Sequence, residues 1–292
     1  MEKIMEQRPR IDGHTLLAGV IGWPVAHSRS PLMHNFWLEK SGVNGVYVPL
    51  PVAPGQFETA VHGLRAAGFR GVNVTIPHKE AAYRIVDRLD RSAERSGSVN
   101  TLVFAENGTI EGYSTDGDGF VANVEAHGIE VAGGRALLLG AGGAARAIAA
   151  SLLDRGVKVI VANRTRARAQ ALAASLDGIE VIDWEQAGQA LPSCTLLVNT
   201  TSIGMEGVAG GVFPFSLEQA SPDLVVCDIV YVPRQTGLLE QAAARGLRTV
   251  DGLGMLIHQA GEGFRKWFGA VPDMGPEVEA LLDADLRRAR AG

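Results

Sequence analysis

Short apolar runs of strand length alternate along the chain with segments whose apolar residues recur at the helical period. This alternation is typical of an α/β protein in which mainly parallel sheets carry helices on their faces. The clearest strand-length runs read LLAGVIG, VYVPLPV, GVNVTI, RALLLG, VKVIVAN, TLLVNT and LVVCDIVY.

Two local signals add detail to this pattern. Asn107-Gly108 lies between TLVFAE and TIEGYST and favours a tight turn that needs positive φ. We therefore expect an antiparallel strand pair at the edge of the first sheet. Ser30-Pro31 predicts the start of a helix, with Ser30 as the N-cap and the proline in the first turn.

The chain of 292 residues is long enough for two ordinary domains. A helical segment follows STDGDG, a Gly133-Gly134 turn leads into the strand at position 135, and strands and helices then alternate up to about Gly252. The remainder is helical, and we expect it to pack back onto the first domain, with Trp267 in the core. The predicted domains are residues 1–117 with 253–292, and residues 118–252, joined by two crossings beside a cleft.

Composition narrows the class of protein. Apolar residues make up 46% of the chain, the formal net charge is -5, and there is no dominant basic block, so nucleic acid and anionic membranes are not expected as partners. The N-terminal segment MEKIMEQRPRID is polar and lacks the apolar stretch of a signal peptide or membrane span, which favours a soluble, cytoplasmic protein.

The cysteines and histidines do not follow the spacing of a metal site. Cys194 and Cys227 each lie beside an apolar run without a CxxC pattern, so we expect both to be core residues. His27, His34 and His78 are not part of an HExxH or Cys/His ligand motif, and no metal is expected.

A glycine-rich turn follows the strand at position 135 and opens an amphipathic helix. Gly140, Gly142 and Ala145 occupy the small positions of G-x-G-x-x-G/A, and Gly143 lets the backbone approach a pyrophosphate more closely. The start of the helix supplies free N–H groups and partial positive charge. The pattern predicts a dinucleotide site, although a tight strand-to-helix turn in any α/β protein would share it.

Basic residues follow the next strand, where the group that contacts the ribose belongs. The segment contains Asn163, Arg164, Thr165, Arg166 and Arg168, with no carboxylate to accept a free 2′-hydroxyl. We interpret it as a site for the 2′-phosphate of NADP, with Arg164 and Arg168 on one helix face. The alternative is a solvated basic helix start, but positive charge is unfavourable there.

Polar residues also follow the strands of the first domain, in GWPVAHSRSPLMHN, NVTIPHK and GSVNTL before STDGDG. Ligands of open α/β sheets bind at such strand ends. Together with DIVYVP and GLGMLIHQA, these segments closely resemble the shikimate dehydrogenase family over about residues 16 to 268. The resemblance implies an open, mainly parallel α/β substrate domain, a Rossmann-type doubly wound NADP-binding domain, and reversible NADPH-dependent reduction of 3-dehydroshikimate to shikimate in chorismate biosynthesis.

The resemblance also assigns roles to individual positions. It makes Lys79 and Asp116 the catalytic pair, both of them also in contact with substrate. The further substrate contacts that it implies are Ser28, Ser30, Thr75, Asn100, Tyr231 and Gln259. The cofactor contacts that it implies are Gly140, Ala141, Gly142, Gly143, Ala144, Ala145, Asn163, Arg164, Thr165, Arg168, Thr200, Met205, Gly252 and Met255.

Ser30 and the absence of an acidic residue at the ribose resemble the shikimate-specific branch of the family more than the quinate branch. The alternatives are a quinate, aminoshikimate or broader dehydrogenase, and a non-catalytic NADP-binding sensor of the same fold. The expected partner is a small-molecule substrate, and the expected assembly is a monomer or homodimer.

The chemistry of some residues suggests a role independently of the family resemblance. Lys79 is one of only five lysines, and a partly buried lysine can lose and regain the proton that ketone reduction requires, whereas arginine cannot. Asp116 would keep it charged, although a surface salt bridge would also explain the pair. Ser28 and Ser30 flank Arg29, so in an extended loop their hydroxyls face one side, while helix capping would account for Ser30 alone.

Overall fold

The computed structural model describes residues 11–208 and 211–291. The expected absence of a signal peptide rests on the N-terminal segment, and most of that segment lies outside the described residues. The chain separates into two compact units, Met1–Thr115 with Gln259–Gly292, and Asp116–His258.

The first unit is built on a six-stranded sheet with the order β2-β1-β3-β5-β6-β4. Strands β1, β2 and β3 are parallel, β5 is antiparallel to both β3 and β6, and β4 is parallel to β6. Its elements are β1 Leu16–Gly22, α1 Ser30–Ser41, β2 Gly45–Pro51, α2 Phe57–Ala66, β3 Phe69–Val74, α3 Lys79–Ile85, β4 Arg88–Leu89, α4 Arg91–Ser96, β5 Thr101–Phe104 and β6 Ile110–Tyr113.

The hairpin of β5 and β6 confirms the antiparallel pair expected around Asn107-Gly108. Gly108 has φ of 86°, and its N–H donates to the carbonyl of Ala105 at 2.9 Å. The pair is not at the sheet edge, however, because β4 lies outside β6. That strand has only two residues, so it leaves no period in the sequence.

Helix α1 begins differently from the prediction that Ser30 caps it. Arg29 already has αR dihedrals, with φ of −89° and ψ of −7°, and its carbonyl accepts from the N–H of Met33. The N–H of Ser30 therefore belongs to the first turn, where the Oγ of Ser28 accepts it at 3.3 Å. The prediction of Ser30 as N-cap is wrong.

The second unit has a six-stranded, fully parallel sheet with the order β12-β11-β10-β7-β8-β9. Counted within the unit, this is the doubly wound order 6-5-4-1-2-3, which confirms the Rossmann-type prediction. Its elements are α5 Asp116–Ala126, β7 Arg135–Leu139, α6 Gly143–Asp154, β8 Lys158–Ala162, α7 Arg166–Ser175, β9 Ile179–Ile182, α8 Ala187–Ala190, β10 Leu196–Asn199, β11 Val225–Asp228, α9 Gly237–Ala244 and β12 Arg248–Val250.

The apolar runs of this unit are continuous because both faces of the sheet are covered. Leu138 and Val198 belong to the core on one face, while Leu137 and Leu197 belong to the core on the other. The free cysteines lie in these cores, Cys227 in the first and Cys194 in the second, and both are buried as expected. Burial raises the pKa of both thiols.

The closing part of the chain forms two helices, α10 Leu253–Phe268 and α11 Pro276–Ala291. From Gln259 onward it belongs to the first unit. Trp267 on α10 is 3% exposed, and its Nε1 donates to the carbonyl of Leu102 on β5 at 2.9 Å. A Cβ on Gly71 would lie 2.2 Å from that Nε1, so the sheet needs glycine there to admit the indole. Trp267 is a core residue, as expected.

Candidate active site

In the first unit, the sheet changes direction at β1, because β2 lies on one side of it and β3 on the other. Such a switch point forms a crevice at the carboxyl ends of the strands. Val74, which ends β3, pairs with Ile21 of β1, and its N–H donates to the carbonyl of Asn100 at 2.7 Å. The register therefore brings the loops after β1 and β3 to the same edge as the segment that enters β5.

The loop after β1 carries Ser28 and Ser30. It is not extended, because the N–H of Ser28 donates to the carbonyl of Val25 at 3.0 Å and Arg29 is helical. The expected extended geometry is wrong, and so is the argument that alternation alone places both hydroxyls on one side. Ser30 is 7% exposed, and Ser28 is half-buried.

Thr75 and Lys79 follow β3 directly. The N–H of Thr75 donates to the carbonyl of Ile21 at 2.9 Å, and a Cβ on Gly22 would lie 2.5 Å from Thr75 Cγ2, so the two strand ends are in close contact. Lys79 is half-buried and is the first residue of α3.

His78, which precedes Lys79, is packed rather than available as a ligand. It is 2% exposed, its ring stacks on Phe57 with centroids 4.8 Å apart, and its Nε2 lies 2.8 Å from the carbonyl oxygen of Val52. This anchoring fixes the start of α3 and therefore the backbone of Lys79.

Asn100 lies at the centre of a hydrogen-bond network at the same edge. Its Nδ2 donates to Thr115 Oγ1 at 2.9 Å and to Gln259 Oε1 at 3.3 Å, and its Oδ1 accepts from the N–H of Thr115 at 2.8 Å. The structure thus brings together two predicted substrate residues. Thr115 was missed by sequence reasoning, although a hydroxyl beside Asp116 in STDGDG was a signal for it.

Asp116 and Tyr231 belong to the second unit. Asp116 is 7% exposed and opens α5. A Cβ on the next residue, Gly117, would lie 2.2 Å from the carbonyl oxygen of Ala147, so this helix start packs closely against α6. Tyr231 is half-buried and follows β11.

The glycine turn lies at the switch point of the second sheet, where β7 separates β10 from β8. Gly140 has φ of 111°, and a Cβ there would lie 2.6 Å from Thr200 Oγ1, which donates to the carbonyl of Leu139 at 2.7 Å. Gly142 precedes α6 in extended conformation, with no side-chain cap, and none of the described residues has an atom within 4 Å of a Cβ built there.

The protein therefore needs glycine at position 140 for its own packing but not at position 142. Gly142 and Gly143, at the start of the helix, are exposed, Ala141 and Ala144 are half-buried, and Ala145 is completely buried against the sheet. An open glycine before uncapped helix N–H groups fits the approach of a pyrophosphate.

The basic segment departs from the prediction in one respect. Helix α7 begins at Arg166, so Arg164 precedes it and does not share a helix face with Arg168. The side chain of Asn163 explains the turn, because its Nδ2 donates to the carbonyl of Thr165 at 2.8 Å.

The three arginines have different surroundings. Arg166 forms an ion pair with Asp183. Arg164 and Arg168 are exposed, and neither side chain forms an ion pair within the described part of the chain. Two exposed guanidiniums in the segment after β8 fit the 2′-phosphate of NADP.

The remaining predicted cofactor positions differ in character. Met205 is 41% exposed, whereas Met255 is 8% exposed and belongs to the core. A Cβ on Gly252 would lie 2.3 Å from the carbonyl oxygen of Ile229. Glycine is therefore required there by the close approach of the segment after β11.

A second polar network was not predicted, although both of its strand residues close apolar runs. Asn199 ends β10 and Asp228 ends β11, and Asn199 Nδ2 donates to Asp228 Oδ1 at 2.9 Å. Asp228 also accepts from Thr236 Oγ1 at 2.8 Å and from the N–H of Val230 at 2.9 Å. Burial raises the pKa of Asp228 to about 6, although these hydrogen bonds lower it.

Within residues 11–208 and 211–291, no three His, Cys, Asp or Glu residues are grouped so that they could hold a metal ion. His34 is completely buried between aromatic rings, stacked on Tyr47 at a centroid distance of 4.0 Å, and burial lowers its pKa to about 3. Among the described helices, none has both the length and the apolar character needed to cross a membrane.

The doubly wound sheet, the open glycine turn and the exposed Arg164 and Arg168 define a dinucleotide-binding protein of the dehydrogenase class. Two family descriptions match the chain, the shikimate dehydrogenase substrate binding domain over residues 20–102 and shikimate / quinate 5-dehydrogenase over residues 123–253. The chain belongs to the shikimate dehydrogenase family, as the sequence motifs indicated.

Individual relatives agree with this assignment. A shikimate dehydrogenase (NADP(+)) of Gluconobacter oxydans is 58% identical over 277 residues, which cover 95% of this chain and 99% of the relative. The crystal structure of shikimate 5-dehydrogenase from Thermus thermophilus in complex with NADP(H) and shikimate has a TM-score of 0.83 and 40% identity, covering 92% of this chain and 100% of that chain. Quinate dehydrogenase from Corynebacterium glutamicum in complex with NAD has a TM-score of 0.83 and 31% identity, covering 92% and 99%.

Proposed function

We propose that this chain catalyses the reversible, NADPH-dependent reduction of 3-dehydroshikimate to shikimate. The observation that carries the proposal is the edge of the first sheet, where the register gathers the serine loop, Thr75, Lys79 and the Asn100 network. Hydroxyls, amides and an ammonium suit a polyhydroxylated acid better than an apolar ligand. The units are then a substrate-binding unit and an NADP-binding unit.

NADPH would supply the hydride that reduces the ketone carbon. In the proposed site, the turn at Gly140 and Gly142 and the start of α6 hold its pyrophosphate, and Arg164 and Arg168 hold its 2′-phosphate. Thr200, Met205 and the segment around Gly252 and Met255 are proposed to line the rest of the cofactor site.

The protein supplies the proton in this mechanism. As the carbonyl carbon is reduced, the carbonyl oxygen becomes an alkoxide, and Lys79 Nζ donates a proton to it and regains one from solvent. Asp116 is proposed to anchor the lysine ammonium and to accept a hydrogen bond from a substrate hydroxyl. Ser28, Ser30, Thr75, Asn100, Tyr231 and Gln259 are proposed to bind the remaining hydroxyls and the carboxylate.

The proposal is tested by following NADP⁺ and NAD⁺ reduction with shikimate, quinate and aminoshikimate. We expect kcat/KM to be highest for shikimate with NADP⁺, because guanidiniums and not a carboxylate follow β8. A preference for quinate or aminoshikimate would overturn the substrate assignment. NADP⁺ binding without turnover of any substrate would indicate a sensor and overturn the enzymatic role.

We also propose a cytoplasmic monomer or homodimer. The net charge of -5, from 27 basic and 32 acidic residues, favours a freely diffusing biosynthetic enzyme. Light scattering at several protein concentrations tests the assembly state.

A further inference from the structure

The C-terminal helix reaches the loop that carries the two serines. Arg29, between Ser28 and Ser30, has its Nε 2.6 Å from Asp285 Oδ2 on α11. The N–H does not point along this line, so the contact is an ion pair without aligned hydrogen-bond geometry. A second donor of the same guanidinium, Nη1, lies 3.2 Å from the carbonyl oxygen of His27 and donates to it.

The side chain of Arg29 therefore links two parts of the loop, its own backbone and the carbonyl of His27, to one carboxylate. The backbone of Arg29 starts α1, its side chain holds the carbonyl of His27, and Asp285 holds the side chain. The side chain of Arg29 is only 19% exposed, so water does not fully replace the ion pair. A loop fixed in this way presents its hydroxyls in one conformation.

This ion pair is not what attaches α11 to the unit. Val278, Leu282 and Leu286 are spaced four residues apart on α11, and all are buried. The segment before the helix is held separately, since Trp37 Nε1 donates to the carbonyl of Asp273 at 2.8 Å. Asp285 is thus available for a task other than docking the helix.

We propose that Asp285 is a positioning residue for substrate binding, acting through Arg29 on the loop of Ser28 and Ser30. The inference rests on the proposed function, in which these serines contact shikimate. Asp285 itself touches neither substrate nor cofactor in this scheme. Its effect is confined to how well the serine loop is arranged before substrate arrives.

The test is steady-state kinetics of Asp285→Asn. We expect KM for shikimate to rise about fivefold, as for the loss of a partly exposed ion pair, with KM for NADP⁺ unchanged. Asp285→Glu, which keeps the charge, should restore most of the lost affinity. Glu277→Gln is the matched control, because Glu277 on α11 pairs with Lys40 at the other end of α1, with Nζ 2.6 Å from Oε2.

An unchanged KM for shikimate in Asp285→Asn would overturn the proposal, and so would an equal rise in Glu277→Gln, since both pairs join the same two helices. A parallel rise in both KM values would also overturn it, because it would indicate a general loss of structure. Failure of the proposed function is distinguishable, since the wild-type protein would then not turn over shikimate at all.

Discussion

Replacing Gly142 with alanine separates a glycine that the cofactor needs from one that the fold needs. Gly142 has φ of −89° and ψ of −171°, which alanine adopts without strain, and a Cβ there meets no atom of residues 11–208 or 211–291 within 4 Å. Gly140 is the comparison, because it has φ of 111° and a Cβ there would lie 2.6 Å from Thr200 Oγ1 and 3.3 Å from the carbonyl carbon of Thr200.

The expected magnitudes follow from these contacts. Gly142→Ala should change the free energy of unfolding by less than about 0.5 kcal/mol, or raise it slightly, because alanine restricts the unfolded chain. Gly140→Ala should lower it by about 2–5 kcal/mol, from about 1–2 kcal/mol of left-handed strain and about 1–3 kcal/mol of overpacking. If the pyrophosphate lies against Gly142, the added methyl should weaken NADP⁺ binding by about tenfold or more, or about 1.4 kcal/mol.

The assay is calorimetric titration with NADP⁺ together with thermal unfolding, with and without the cofactor. Gly142→Ala should keep the Tm of the free protein but lose about 1.4 kcal/mol or more of the stabilisation by saturating NADP⁺, as a tenfold weaker affinity requires. A stable Gly142→Ala variant that binds NADP⁺ within about threefold of the wild type would refute the reasoning, since the open side of the turn would then not be the phosphate site.

Further substitutions test the proton donor, the phosphate site and the buried carboxylate. Lys79→Ala should lower kcat about 10²- to 10⁴-fold while the fold survives, as measured by steady-state kinetics and circular dichroism. Arg164→Ala should raise KM for NADPH much more than KM for NADH, because only NADPH carries the 2′-phosphate. For Asp228→Asn, the free energy of unfolding should rise relative to that of the wild type as pH increases from about 4 to about 7. The relative gain should reach up to about 3 kcal/mol, as measured by urea unfolding at each pH.

The sign of the Asp228 prediction follows from its pKa. Burial raises the folded value to about 6 from the ordinary 3.8, so the native state binds the proton more tightly than the unfolded state. The contribution of the Asp228 carboxyl to the free energy of unfolding is therefore most favourable below about pH 4 and is lost as pH rises through 6. If the free energies of unfolding of the wild type and of Asp228→Asn change with pH in the same way, the prediction is contradicted.

The other two predictions have matched controls. Arg166→Ala removes an arginine already paired with Asp183, so it should not discriminate between NADPH and NADH. If Arg166→Ala raises KM for NADPH over KM for NADH as strongly as Arg164→Ala does, the preference for NADPH comes from the general positive charge of the segment and not from Arg164 itself. Lys79→Arg keeps the charge but holds its proton, so activity close to wild type would contradict the proton role.

Much of the fold was predictable because its signals are local. Strands β1, β7 and β8 are apolar runs bounded by glycine or polar residues, and the hairpin at Asn107-Gly108 needs only a few neighbouring residues. β9 and β12 escaped prediction because they are short and partly exposed, so their apolar pattern is weak.

The errors at the helix starts have one cause. Ser30 and Arg164 were placed from sequence patterns, but the first helical residue depends on backbone dihedrals that the neighbouring loop imposes. Arg29 is helical before Ser30, and Asn163 holds a turn that delays α7 to Arg166. A one- or two-residue shift is enough to change which side chains share a face.

The sequence by itself determined the α/β class, the glycine turn and the basic segment after β8, because period, positive φ and charge are encoded within short windows of the chain. Only the tertiary structure decided that Asn100 meets Thr115 and Gln259, that Asn199 meets Asp228, and that Arg29 meets Asp285. These partners are distant in the chain, and sheet register and helix docking bring them together through packing that no local pattern contains.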